Sequence, residues 1–142
     1  MPATETTDKK ARQALWNAQV TTAVHGLAML VWGLAPAVVH RLASGYTPPL
    51  SSFAVGGLTM TVGVALLGLS ILISRRVAWA LWTVLALAST LLLGSFVLIM
   101  VGGAGIPSIF PLLLAACTAG TCWIAIDTRR TCARPQPPAG AA

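Results

Sequence analysis

The chain is poor in charge. Only Glu5, Asp8 and Asp127 are acidic, and charged residues make up 8% of the 142 positions. A soluble domain carries about a quarter charged residues, because a water-facing surface needs them. A chain this short of charge cannot coat a globule of its own size, which weighs against the soluble helical protein. The long apolar runs contain no Asp, Glu, Lys or Arg. That removes carboxylate proton relays and charged-substrate pathways from the candidate mechanisms.

Cysteine is scarce as well. Cys117, Cys122 and Cys132 form no CxxC motif. On a helix Cys117 and Cys122 point about 140° apart, which suits neither a disulfide nor a two-thiolate metal site. They read as small packing residues, and Cys132 as an unmodified thiol. No Ser-His-Asp set, Walker loop, HExxH or GxGxxG occurs, so no catalytic residue and no metal ligand set is assigned. The expectation is a protein that is not an enzyme and carries no cofactor. The net charge of +6 comes without a basic stripe interleaved with aromatics, so nucleic acid is not expected as a partner.

What the chain does have is apolar length. Hydrophobic residues make up 56% of it, in four runs. The first extends from about residue 14 to 39, the second over 53–73, the third over 77–101 and the fourth over 106–126. Each holds about 20 residues or more, enough to cross a hydrocarbon core of about 30 Å. The fold expected is all-α: an integral membrane four-helix bundle, up-down-up-down. Residues 1–12 and the Pro-rich 127–142 read as disordered tails. Lys9, Lys10 and Arg12 could mimic the start of a signal peptide, with Ala35-Pro36-Ala37 as its cleavage site. Pro36 in mid-site and the polar stretch before the apolar segment argue against cleavage, so the first run counts as a span.

The basic residues lie in the gaps between runs. Lys9, Lys10, Arg12, Arg75, Arg76, Arg129, Arg130 and Arg134 would all fall on one side of a membrane, and Arg41 alone on the other. The positive-inside rule then places both termini in the cytoplasm, with the bilayer of a bacterial inner membrane as partner. Trp16, Trp79, Trp82 and Trp123 sit near the same inner boundary, and Tyr46 near the outer one. His40 and Arg41 cap the negative end of the first helix.

The second run is studded with small residues. Gly56, Thr59, Gly63 and Gly68 suit close approach by another helix. The very short turn Ser74-Arg75-Arg76 makes the second and third helices antiparallel neighbours, expected to be tightly apposed. Ala14-Leu15-Trp16 and Ala80-Leu81-Trp82 open the two hairpins alike, and Arg pairs close both. Interface rules alone account for that likeness without a duplication.

The first run is the least apolar. Asn17, Thr21 and His25 lie within about 80° of one another on a helix, and Ala28, Trp32 and Ala35 continue the face. Such a stripe points into a bundle or at a partner, because polar groups facing lipid are costly. His25, the ionisable group well inside a span, reads first as a neutral imidazole hydrogen-bonded within the bundle. Two functional readings stand beside it: a proton or ligand site in a transporter or quinone-reactive protein, and axial ligation of haem. His40 lies about 22 Å away along the helix, so haem would need His25 from two copies.

Three functions follow from these residues. The first is a non-enzymatic membrane protein working through helix–helix contacts, as an accessory subunit of a larger complex or as a homo-oligomer. The second is a small transporter or channel for a neutral or weakly polar solute. The third is a haem- or quinone-linked redox subunit.

Overall fold

A computed structural model describes residues 2–42, 50–102 and 109–133. Four helices make up these segments: α1 (Pro2–Leu42), α2 (Leu50–Ser74), α3 (Ala78–Gly102) and α4 (Ile109–Ala133). All four are long and apolar enough to cross a membrane. No span is more than 33% buried by the rest of the protein, so most of each helix surface is left for lipid. Val24, Leu27, Val31 and Leu34 form such an outward stripe on α1. The chain is a small polytopic membrane protein.

The helices neighbour one another in the order α1-α2-α3-α4 and back to α1. The pairings run antiparallel. Gly26 meets Gly63 while Gly33 meets Gly56, and Thr21 meets Thr121 while His25 meets Thr118. The apolar core is built from Ala14 and Ala18, Leu66, Leu69 and Ile73, Ala80, Leu81 and Val84, and Cys122, Ala125 and Ile126. These residues occupy the half of the bundle nearest the basic turn. Among the described residues of α3, none after Ala88 is buried.

The close pair is α1 and α2, not α2 and α3. The α2–α3 contact is the sparsest of the four neighbouring pairs, which corrects the expectation of tight apposition. A short turn fixes two helix ends, but backbones approach only where side chains are absent. A Cβ added at Gly63 would lie 2.8 Å from the Gly26 carbonyl oxygen, and one at Gly26 would lie 2.9 Å from that of Gly63. Two turns along, a Cβ on Gly33 would sit 2.7 Å from the Gly56 carbonyl. These four glycines form a backbone-to-backbone seam. Of the expected packing residues, Gly56 and Gly63 are in it. Thr59 is half-buried and donates to the Val55 carbonyl at 2.7 Å. Gly68 is exposed with no atom near its Cβ position.

Two helix boundaries differ from the sequence reading. α1 starts at Pro2 rather than near Ala14, and Asp8 and Arg12 pair across one turn at 3.1 Å. Such i,i+4 pairs favour helix where composition alone suggests a tail. α4 continues to Ala133, so Asp127, Arg129 and Arg130 ride on it instead of ending it. Residues 43–49, 103–108 and 134–142, which include Tyr46 and Arg134, lie outside the described segments, as do the side chains of His40 and Arg41.

The α2–α3 turn is a Schellman motif. Val77 N–H reaches the Leu72 carbonyl at 3.2 Å and Arg76 N–H reaches that of Ile73 at 2.9 Å. Arg76 holds the left-handed position with φ 59°, a place that glycine fills at lower cost.

The basic groups gather at this end. Arg129 donates to the Arg76 carbonyl at 3.3 Å. The Arg130 guanidinium lies 5.1 Å from the Trp82 ring centre, a cation–π distance. Arg12 and Arg76 share one groove.

Candidate functional site

The polar residues of α1 face α4. Thr21 begins the seam: its hydroxyl lies 2.7 Å from that of Thr121. One turn further in, His25 Nδ1 is 3.0 Å from Thr118 Oγ1. Between them Thr22, fully buried, donates to the Ala18 carbonyl at 2.6 Å, and Cys122 on α4 is buried as well. Thr118, Thr121 and Cys122 occupy one face of α4 through their i, i+3, i+4 spacing. They meet the Thr21, Thr22 and His25 group of α1 head-on.

Thr118 has one hydroxyl proton, and it goes to the Leu114 carbonyl at 2.8 Å. With that bond kept, Thr118 accepts from the imidazole, the arrangement that puts the proton on Nδ1 and leaves Nε2 a bare lone pair. That Nε2 is buried and has no hydrogen-bond partner. An unpaired buried acceptor costs about 1–3 kcal/mol. It is the one buried side-chain polar atom left so among the described residues.

The stripe identified in the sequence thus divides. Thr21 and His25 enter the α1–α4 seam. Asn17 is exposed at its near end. Trp32 is half exposed, and with Ala28 and Met29 it covers Phe110, Pro111 and Leu114 around a small apolar cavity of about 20 Å³. Trp32 therefore packs on the same helix as His25 without joining its hydrogen bonds. Cys117 is exposed while Cys122 is buried, as their angular separation requires. Thr118, Thr121 and Cys122 were not singled out from the sequence as partners. The available signal was their shared helical face.

A second cluster lies at the basic end. Arg12, Leu15, Trp16 and Gln19 of α1, with Ile73 and Ser74 of α2 and Arg76 of the turn, line an open groove. Leu15 and Ile73 form its floor against the core.

No family model, curated protein or solved structure matches the chain.

Proposed function

We propose that the protein is a non-enzymatic membrane subunit that works through helix–helix contacts, as a homo-oligomer or as an accessory part of a larger complex. The observation that carries this reading is the outer face of α2. Gly57, Thr61, Val64 and Gly68 recur at four, three and four residues and fall within about 60° of one another on the helix. All four are exposed. Nothing lies within 4 Å of a Cβ at Gly57 or Gly68. The stripe is opposite the core residues Leu66, Leu69 and Ile73, away from the packing among the described residues. In a bilayer, close van der Waals packing on small residues drives helix association.

The membrane proposed is a bacterial inner membrane. Lys9, Lys10, Arg12, Arg75, Arg76, Arg129 and Arg130 gather at the end that would face the cytoplasm. Both termini would lie on that side.

Replacing Gly57 and Gly68 together by Leu tests the reading in reconstituted vesicles. Wild type is expected to give a defined cross-linked oligomer or a copurifying partner. The variant is expected to lose that species while keeping its helix content. A wild-type protein that stays monomeric and partnerless under crosslinking sinks the proposal.

One observation favours a second reading, a transporter or channel for a weakly polar solute: the bare Nε2 of His25 in a hydroxyl-lined seam. His25→Ala is expected to reduce solute flux at least about tenfold if this lone pair binds the solute. Unchanged flux removes the site. Haem ligation between two copies draws less support, because His25 is fully buried inside one chain and would have to leave its seam to reach a partner.

A further inference from the structure

We infer that the groove at the basic end is a binding site for one anionic phospholipid headgroup, with Arg12 and Arg76 gripping the phosphate. Three independent observations meet there. The first is placement. Arg12 from α1 and Arg76 from the α2–α3 turn line the same groove of about 240 Å³, together with the Gln19 amide and the Ser74 hydroxyl. Two guanidiniums on one concave surface favour an anion there, and their planar forks match phosphate oxygens.

The second is backbone strain. Arg76 occupies the left-handed position of a Schellman turn with φ 59°. Glycine would hold that turn with less strain, so the turn itself does not account for an arginine. An outlier of this kind points to a role for the side chain. The Arg76 carbonyl accepts from Arg129 at 3.3 Å, which brings a third guanidinium to the same turn.

The third is depth. Trp16 lines the groove and is 61% exposed. Trp79, Trp82 and Trp123 are likewise exposed at this end of the bundle. Indole rings of this kind settle at the headgroup level. The groove therefore opens where lipid phosphates lie. Its floor of Leu15 and Ile73 offers apolar surface to the start of an acyl chain. Basic pockets between spanning helices on the cytoplasmic side are suited to anionic headgroups. Asp8 is the one acidic group that meets these arginines in the described structure. It pairs with Arg12 at 3.1 Å, with both side chains about 70% exposed, so the pair is weak and easily exchanged.

The full chain in phosphatidylcholine nanodiscs, titrated with phosphatidylglycerol and read by native mass spectrometry, tests this. One tightly held phosphatidylglycerol per chain is expected. Arg12→Gln and Arg76→Gln should each weaken it about tenfold. Arg130→Gln should leave it unchanged, because Arg130 is at the same end but stacks on Trp82. Arg76→Gly guards against misfolding: it relieves the strained turn, so its unfolding midpoint in pure phosphatidylcholine should hold or rise while the bound lipid is lost. Inorganic phosphate is the second titrant. Saturation by millimolar phosphate with no retained lipid overturns the lipid assignment. Equal lipid retention by wild type, Arg12→Gln and Arg76→Gly overturns the site. Equal losses in Arg130→Gln would reduce the effect to diffuse charge and overturn it as well.

Discussion

Gly63→Leu is expected to open the α1–α2 hairpin and lower stability by about 3 kcal/mol, the upper end of the overpacking range. A Cβ there meets backbone on α1: the Gly26 carbonyl oxygen at 2.8 Å and the Leu30 nitrogen at 3.0 Å. Backbone of a helix cannot rotate away as a side-chain tip can. The two helices must separate along their length, and separation also loosens Gly33 from Gly56. Gly63→Ala already places that Cβ and should cost about 1 kcal/mol or more by the same reasoning. Gly68→Ala is the control on the same helix. No atom lies within 4 Å of its Cβ position, so its change should stay within about 0.5 kcal/mol. Unfolding in detergent mixtures followed by circular dichroism ranks the three. If Gly63→Leu and Gly68→Ala melt together, the seam does not hold the hairpin.

The same glycines show what could be read before the structure and what could not. Spans are legible because lipid imposes a one-dimensional demand: about 20 apolar residues without charge. All four helices are long and apolar enough to cross a membrane. Gly56 and Gly63 were legible as a packing face of α2. Their partner was not, because chain proximity pointed to α3 through a short turn. The decisive signal was a match between helices: Gly26 and Gly33 repeat the seven-residue spacing of Gly56 and Gly63. Only that match lets two ladders of bare backbone meet at two successive places. Gly68 shares the composition but not the face. It shows that a glycine in a span is not by itself a contact.

The polar seam has a similar history. His25 was conspicuous because an imidazole inside an apolar run needs a partner. Thr118 and Thr121 were inconspicuous because a threonine in a helix can satisfy itself. Both donate to carbonyls one turn back, at 2.8 Å and 3.0 Å. Nothing in their local sequence required another helix. Their pairing with α1 is a property of helix register, which depends on the glycine seam and the α3–α4 contact as well as on the threonines.

That difference in self-sufficiency predicts unequal effects for two chemically identical substitutions. Thr121→Val removes the partner of the Thr21 hydroxyl, but Thr21 keeps the carbonyls of Asn17 at 2.9 Å and Ala18 at 3.2 Å. Its loss should be about 0.6 kcal/mol or less, an ordinary value for such bonds in a membrane. Thr118→Val removes the one hydrogen-bond partner of His25 Nδ1. The ring has no other hydrogen bond, since Nε2 already lacks a partner, and full burial keeps it from water. Both ring nitrogens are then unpaired, and the expected loss is about 2 kcal/mol. Adding His25→Leu to Thr118→Val removes the orphaned groups together and should recover most of it, because an apolar pair of similar shape leaves nothing to desolvate. The double-mutant cycle reports this as a coupling energy between positions 25 and 118. Equal losses for Thr118→Val and Thr121→Val, with no recovery in the double variant, would mean that His25 is held by packing and not by its hydrogen bond.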